Sequence, residues 1–543
     1  IVWDSINDQM VLLDDSSNKA PVYPEASKVS EKKDLFIITR NEKEFNDTKE
    51  FAHYLSESYA EETITTTTGI DTGRNENVKS VTYSNSSKQD AIIRTNSGTL
   101  TVNASTDNVY HYGLADKVII ENVAADSYHE NGYVTSYLEV KNGHVVLEKN
   151  SSVSILAVNG SNVTVNQNAN SELFKVVPVG SGNTIDTTKI KVSSNVEKGT
   201  SIDPTKLNDM KYGGGTGKSG DAYELYTASH LAAFAKDVNN GIFTDYVYAK
   251  LCKNVDISGM GWEPIGNAEH PFVGSFDGQG NTINGLTNKG YSPSTSLWGT
   301  TANSKNSGTA YGFFGVVGVR TGDGKSNEIS LTNINFNNVN INTNVANMLG
   351  VLLGADTYAA KIGNNRVNEQ FAGNITIEKI NTNGVVTCTK GASVGGIVGR
   401  TETLGKLLIK DCINNANLIL SNNDNSHMKA GGILGYAEKE GKIEFNNCNN
   451  NGSITLDAYA PYYIGGIISN QGSSKIPTFT NSGVSSKITI VEKMDNLNPA
   501  SVALVYGAHI HNENPTAQKN VETVNTDKAS CTLNGQEITK KYC

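Results

Sequence analysis

The stretch Gly395-Gly-Ile-Val-Gly399 recurs along the second half of this 543-residue chain. The copies are Gly350-Val-Leu-Leu-Gly354, Gly431-Gly-Ile-Leu-Gly435 and Gly465-Gly-Ile-Ile-Ser469, so their first glycines lie 45, 36 and 34 residues apart. Repeats of this length are typical of solenoids, in which one unit cannot bury its apolar face alone and its neighbours supply the missing core. The repeat therefore predicts a stack of similar coils.

Two further segments complete each unit. An asparagine-rich segment follows the glycine motif, at residues 331–338, 377–384, 409–416, 445–452 and 479–483. A short apolar segment then closes the unit, as at residues 417–420 and 453–456. Three short strands per unit predict a mostly β fold, with a right-handed parallel β-helix in the C-terminal part.

Glycine and asparagine have separate expected roles in such a stack. We expect the glycines to allow positive φ angles and close approach of neighbouring coils. These repeat-core positions are Gly395, Gly396, Gly399, Gly431, Gly432, Gly435, Gly465 and Gly466. Asparagine tolerates left-handed corners, and stacked asparagine side chains can hydrogen-bond from coil to coil.

The composition excludes several functional classes. Lys and Arg total 45 against 55 Asp and Glu, which gives a formal charge of −10. Nucleic acid is an unexpected partner, because its binding needs a basic patch. No run approaches the roughly 18 apolar residues that span a bilayer. Because the chain begins at Ile1 without a Met, we expect any signal or anchor to lie upstream.

The pattern along the chain predicts five segments. Residues 1–62 form a strand and helix segment, with an amphipathic helix at 44–62. Residues 63–180 form a smaller β-rich domain, either a solenoid or a sandwich, and residues 181–220 form a linker. Residues 221–520 form the β-helix, whose N-terminal cap is a helix near 227–240, and residues 521–543 form a tail.

The solenoid alternative for residues 63–180 is favoured by a recurring apolar pair. Four predicted strands carry two apolar residues at positions i and i+2: Leu100/Val102, Val118/Ile120, Leu138/Val140 and Val145/Leu147. Such pairs would stack into continuous rows if the strands pair in parallel register.

The cysteines allow two local predictions. Cys531 and Cys543 flank a Leu-Asn-Gly turn, so they form either a small disulfide loop or two reduced thiols. Cys412 and Cys448 occupy equivalent repeat positions, 36 residues apart. We expect them to stack inside the core as small apolar groups, with a disulfide as the alternative.

Motifs that would indicate chemistry are incomplete. Gly213-Gly-Gly-Thr-Gly-Lys-Ser219 fails as a phosphate-binding loop, because Tyr212 stands where the first glycine is needed. No zinc-binding HExxH motif occurs. Gly391-Ala-Ser-Val-Gly395 runs into a repeat strand, whereas a catalytic serine elbow joins a strand to a helix. The sequence therefore predicts no catalytic residue, metal ligand or cofactor.

The repeat resembles a known motif. Gly395–Gly399 and its copies look like the GLUG motif of bacterial surface adhesins and of the non-catalytic part of immunoglobulin A peptidases. Trp262–Gly266 and Phe272–Leu286 resemble blocks of bacterial cell-surface β-helices. The resemblance covers about residues 221–510, and it implies a β-helix fold and an extracellular, cell-surface location.

The N-terminal half has a second resemblance. Ile1–Asp4 and Met10–Leu13 are similar to the segment after the hydrophobic helix in pilin-like surface proteins of Gram-positive gut bacteria. His111–Gly113 and Ser127–Val134 look like features of the same group. This resemblance implies a membrane or pilus-type helix upstream of Ile1.

These observations predict a non-catalytic adhesin or stalk that binds a host glycan or protein. The alternative is a structural, pilin-like filament subunit that self-assembles, and a polysaccharide-active enzyme is a third. Tyr459, Tyr462 and Tyr463 cluster beside Pro461. Exposed aromatic rings can stack on sugars or proteins, so these tyrosines are candidate ligand contacts, with core packing as the alternative.

Overall fold

The computed structural model describes most of the chain from residue 77 to residue 541. The gaps within this span are residues 86–89, 95, 105–107, 268–269, 289–309, 319–327, 345–347, 357–360, 363–364, 367–372, 390–392, 423–427, 439–440, 459–460, 473–474, 493–501 and 508–513. Before residue 77 only the strands Val2–Asp4, Gln9–Val11, Leu35–Ile37, Thr63–Thr66 and Asp71–Thr72 are described. The helix predicted at 44–62 lies outside the described residues.

The chain divides into two compact units. Unit 1 comprises Ile1–Lys211 and Thr227–Ala233, and unit 2 comprises Tyr212–Tyr226 and Phe234–Cys543. Both units are built mostly from β-strands that pair in parallel, as the sequence predicted at this coarse level. No helix in the described part of the chain is long and apolar enough to cross a membrane.

Unit 1 contains two parallel ladders. The first ladder joins Thr63–Thr66, Asn77–Asn85, Asn96–Ala104, Leu114–Glu130, Tyr133–Val140, Ser152–Val158, Glu172–Pro178 and Glu197–Lys198. The second joins Asp71–Thr72, Ala91–Ile93, Val109–His111, Leu114–Glu130, Gly143–Leu147, Val163–Gln167 and Ile190–Lys191. The long strand Leu114–Glu130 belongs to both ladders.

The predicted apolar pairs stack inside unit 1. Val118 lies opposite Leu100 on one side and Leu138 on the other, and Ile120 lies between Val102 and Val140 in the same way. All six side chains are buried. The i, i+2 pattern therefore identified one face of this ladder correctly.

Residues 199–211 cover the other face of the first ladder. A 3₁₀ helix, Pro204–Asp209, places Leu207 against Tyr137, Ile155, Ala157 and Val177. Leu207 is 2% exposed. The segment 199–211 was predicted to be part of a flexible linker. It packs on the sheet instead, because the strands of the first ladder carry apolar side chains on both faces.

Unit 2 contains one large sheet, two smaller parallel sheets and a two-stranded antiparallel hairpin. The large sheet joins Tyr223–Leu225, Val247–Leu251, Val255–Asp256, Gly274–Asp277, Thr282–Asn284, Glu328–Thr343, Asn374–Cys388, Lys406–Lys410, Ile413–Asn422, Lys442–Asn446, Asn449–Asn450, Ile454–Ala458, Thr478–Thr480, Gly483–Val484, Lys487–Glu492, Ser530–Leu533 and Gln536–Glu537. Residues predicted as a C-terminal tail therefore extend this sheet, because Ser530–Leu533 pairs in parallel with Lys487–Glu492.

The smaller sheets of unit 2 carry the glycine motifs. One contains Ala310–Tyr311, Met348–Gly350, Ser393–Gly395, Met428–Gly431, Pro461–Gly465 and Val502–Ala503. The other, here called the four-stranded sheet, contains Phe314–Val317, Leu353–Asp356, Val398–Thr401 and Leu434–Ala437. A hairpin of Lys361–Ile362 and Asn365–Arg366 is antiparallel.

Two α-helices are described. Ala228–Asn239 matches the helix predicted as a cap, and Pro515–Glu522 begins after Asn514, whose side chain accepts hydrogen bonds from the amides of Thr516 and Ala517. An N-cap of this kind satisfies amides that a helix leaves without partners.

Candidate functional site

The glycine motifs stack on one another in register. Gly350 lies opposite Gly395, Gly395 opposite Gly431, and Gly431 opposite Gly465. A Cβ atom at Gly395 would lie 1.9 Å from the carbonyl oxygen of Val398. The repeat in the sequence is therefore a repeat in space, and close backbone contact explains the glycines.

Positive φ does not explain these glycines. None of the eight repeat-core glycines, all of them described, lies among the residues with positive φ. The left-handed positions that recur in successive repeats are instead Asn333, Lys379, Asp411, Asn447 and Asn481. Asn333 and Lys379 lie within the long strands Glu328–Thr343 and Asn374–Cys388, and the other three follow a short strand. The expectation that asparagine takes left-handed positions is confirmed at three of these five.

A buried polar ladder runs beside the glycine motifs. Thr382 donates to Asn414 Oδ1 at 2.5 Å, Asn414 donates to Asn450 Oδ1 at 2.8 Å, and Asn450 donates to Ser486 Oγ at 3.1 Å. All four residues are buried. Because buried polar groups are costly without partners, this ladder fixes the register of successive repeats.

Of the three candidate tyrosines, the structure describes the side chain of Tyr463 alone. Tyr463 is 4% exposed, so its ring packs in the interior and cannot stack on a ligand. This corrects the prediction for Tyr463. Tyr459 and the side chain of Tyr462 lie outside the described residues.

The cysteine predictions have different outcomes. Cys412 and Cys448 are buried free thiols, as expected for small apolar core groups. Burial, together with the neighbouring Cys448, raises the pKa of Cys412 well above its usual value. Cys531 is buried, and Cys543 lies outside the described residues, so their disulfide stays a prediction.

Several charged side chains of unit 2 meet around the strands Val398–Thr401 and Leu434–Ala437 of the four-stranded sheet. We call this group the charged cluster: Asp356, Arg400, Glu402, Lys429, Tyr436 and Glu438. Ala355, Arg400 and Tyr436 are opposite one another on adjacent strands. The Arg400 guanidinium forms ion pairs with both Glu402 and Glu438. Two carboxylates therefore share one guanidinium group as their ion-pair partner.

Of the two glutamates that contact Arg400, Glu402 is more buried than Glu438. Its side chain is 1% exposed, and its backbone N–H donates to Asp356 Oδ2 at 2.8 Å. Burial, together with the nearby Glu438 and Asp356, raises the pKa of Glu402 to about 7 against the opposing effect of Arg400. Burial therefore disfavours the ionised form of Glu402.

Lys429 and Arg400 both lie against the Tyr436 ring. Lys429 Nζ is 3.4 Å from the ring centroid and Arg400 Cζ is 5.0 Å from it. Burial, together with the nearby Arg400, lowers the pKa of Lys429 to about 8, while Glu438 and Glu402 oppose the shift. The aromatic face partly replaces the water that the ammonium group loses.

The geometry of the charged cluster does not suit glycoside hydrolysis. Glu402 and Glu438 both pair with the guanidinium group of Arg400. Catalytic carboxylates of glycosidases stand about 5 Å or more apart, because the sugar or a water lies between them. Nor does any group of three or more His, Cys, Asp or Glu side chains in the described residues suit a metal ion.

Unit 1 buries a second ionisable pair. His111 lies opposite Glu130 in register, and its Nδ1 donates to Glu130 Oε1 at 2.9 Å. Glu130 also accepts from the Tyr128 hydroxyl at 2.7 Å and from the Gly132 amide at 2.8 Å. The carboxylate is therefore well satisfied in the core, which suits a structural role.

Sequence reasoning missed both the charged cluster and the His111–Glu130 pair. The cluster could have been found by aligning successive repeats. Arg400-Thr-Glu402 follows one glycine motif, and Tyr436-Ala-Glu438 occupies the same position after the next one. His111 and Glu130 lie in the segments 111–113 and 127–134, the two segments that resemble pilin-like proteins.

Comparison with known proteins adds little. No family model and no curated protein matches the chain. A crystal structure of a "putative immunoglobulin A1 protease" from Bacteroides ovatus is 20% identical, with a TM-score of 0.38. The match covers 60% of this chain and 82% of that one. A likeness this low carries no argument about fold or activity.

Proposed function

We propose that both units are parallel β-helices, right-handed in unit 2, and that the protein is a non-catalytic adhesin on the surface of a bacterium. The observation that carries the proposal is the in-register stacking of four successive glycine motifs. A stack of this kind holds many outward side chains at a fixed spacing of about 4.8 Å. Such an array suits a binding surface better than a small reaction chamber.

The proposed binding face is the outward side of the large sheet in unit 2. Ile419, Thr455 and Thr489 lie opposite one another on successive strands. Ile419 is 45% exposed although it is aliphatic, and Thr455 is also exposed. A flat row of β-branched side chains offers both apolar contact and hydroxyl groups, which suits an extended glycan or protein chain of a host or its matrix.

The resemblance to GLUG-motif adhesins supports the extracellular location. The acidic composition supports a partner other than nucleic acid. The test is binding of the full chain to arrays of host glycans and matrix proteins. We expect saturable binding, which Thr455→Arg should weaken at least tenfold (about 1.4 kcal/mol).

The matched control is Thr164→Arg, which changes an exposed strand threonine of unit 1 and should leave binding unchanged. If the chain binds no host glycan, matrix protein or cell, the adhesin proposal fails. Concentration-dependent polymerisation without ligand binding would favour the filament alternative instead.

A further inference from the structure

A recurring hydrogen-bond pattern, here called the fork, joins the glycine motifs of successive repeats. In each fork, two consecutive backbone amides donate to the same carbonyl oxygen in the next repeat. The donors and their shared acceptor are Ile397 and Val398 with Ile433, Ile433 and Leu434 with Ile467, and Ile467 and Ile468 with Val505, at 2.9–3.2 Å. Because buried amides need partners, the repeat at the end of the series needs an acceptor from elsewhere.

The acceptor of the last fork belongs to a segment that has no glycine motif. The amides of Val505 and Tyr506 both donate to the carbonyl oxygen of Lys541, at 3.1 Å each. The amide of Leu504 donates to the carbonyl oxygen of Lys540 at 2.8 Å. The sequence of this segment is Ile-Thr-Lys-Lys at 538–541. Its backbone therefore takes the place that the glycine motif of a further repeat would occupy.

Residues 515–533 extend this cover over the last strands of the large sheet. Asn520 Nδ2 donates to the carbonyl oxygen of Pro477 at 2.9 Å, and the strand Ser530–Leu533 pairs in parallel with Lys487–Glu492. Several apolar side chains of the segment are buried, namely Ala517, Val521, Val524 and Leu533. Its exposed side chains are polar, and they include Gln518, Lys519, Glu522, Asp527 and Lys528. An apolar inner side and a polar outer side are typical of a terminal repeat that caps a stack.

We propose that residues 515–541, here called the end cap, keep the chain monomeric by occupying the edge on which a second copy would otherwise pair. Unpaired amides and carbonyls at the edge of a sheet are a template for the backbone of another chain. A second copy without its end cap offers the same edge, at residues 504–506. Two such edges can exchange hydrogen bonds about a two-fold axis, as in other isologous dimers.

The opposite end of the motif series is covered by the chain itself. The carbonyl oxygen of Phe313 accepts from the Ile265 amide and from the Trp262 indole, both at 3.0 Å. Opening the end cap therefore exposes one edge of the motif series and not two. One edge per chain closes into a dimer, whereas a filament needs a different edge at each end.

The first test removes residues 538–543, which leaves the buried side chains of the end cap in place. Light scattering should give the monomer mass for the intact chain and, as concentration rises, the dimer mass for the truncated chain. Circular dichroism checks that both chains are folded. A truncated chain that is folded and monomeric would overturn the proposal, and so would equal dimerisation of the intact chain.

The second test asks whether the dimer uses the edge that the end cap covers. A peptide of residues 536–542 should bind the truncated chain saturably and return its dimer to the monomer, because both occupants need the same amides. A dimer that persists when the peptide is in excess would contradict pairing at this edge.

The third test loosens the end cap without removing it, in case the truncated chain does not fold. Lys541 Nζ donates to the carbonyl oxygens of Val524 at 2.8 Å and Glu522 at 3.4 Å, and so it ties the two parts of the end cap together. In Lys541→Ala, amide hydrogen exchange across 502–507 should be roughly tenfold faster, and the dimer fraction should rise with it.

The matched control for the third test is Lys540→Ala, because the Lys540 side chain is exposed. This variant should keep the exchange rate and the mass of the intact chain. Equal exchange across 502–507 in the two variants would count against the end cap, as would faster exchange in Lys541→Ala without any dimer.

Discussion

At Gly432, an added Cβ atom would lie 2.1 Å from Asn450 Nδ2 and 2.1 Å from the carbonyl oxygen of Gly466. Both neighbours belong to the next repeat, and one of them is backbone. Gly432→Ala should therefore lower the free energy of unfolding by about 3 kcal/mol, measured by urea denaturation. Gly214→Ala is the control, because its Cβ would meet only the flexible Glu224 carboxylate at 3.0 Å. Equal losses in both variants would refute close packing as the reason.

Asn414 is the central residue of the buried polar ladder. Besides its two ladder bonds, it accepts from the Ala416 amide at 3.0 Å and donates to the Ala416 carbonyl at 3.1 Å. Asn414→Ala leaves several buried groups without partners, so we expect a loss of about 3 kcal/mol in thermal or urea unfolding.

The control for the ladder is Asn415→Ala, one residue further along. Asn415 is exposed and accepts from Asn451 at 2.9 Å on the surface. Its removal should cost less than about 0.5 kcal/mol. If the two variants lose the same stability, the buried ladder does not fix the register.

At the scale of elements, the segment 199–211 acts as a cover for the first ladder of unit 1. Leu207→Asp would place a charge against Tyr137, Ile155 and Val177. We expect a loss of at least about 3 kcal/mol and faster proteolytic cleavage within 199–211. Lys206→Ala, at a side chain that is 69% exposed, should leave both measurements unchanged. Resistance of Leu207→Asp to cleavage would argue against the covering role.

At the scale of the whole molecule, a stack of similar repeats should accept an additional one. Asp411 and Asn447 occupy equivalent corners 36 residues apart, and Asn447 donates to Asp411 Oδ1 at 2.7 Å. A second copy of residues 411–446, inserted after residue 446, supplies one complete repeat with matching ends. We expect a folded, soluble chain with unchanged circular dichroism per residue.

A scrambled insert of the same 36 residues is the control for this duplication. It keeps length and composition but loses the strand positions that continue the ladders, so we expect aggregation or a loss of β signal. If the scrambled insert is tolerated equally well, insertion at this point does not test stacking.

The sequence by itself determined the strands and their repetition. Gly350, Gly395, Gly431 and Gly465 carry the same local pattern, and identical patterns stack because parallel pairing places equivalent residues opposite one another. The rows of Leu100, Val118 and Leu138 follow for the same reason. Period and side-chain alternation are local properties, so they can be read before any fold is known.

Only the tertiary structure decided which polar and aromatic groups are buried and which charges meet. Tyr463 packs inside, Leu207 covers a sheet, and Arg400 meets a glutamate of the next repeat. Arg400 and Glu438 are 38 residues apart in the chain. Their contact depends on the register of the stack and on what else excludes water there, and neither is a property of the local sequence.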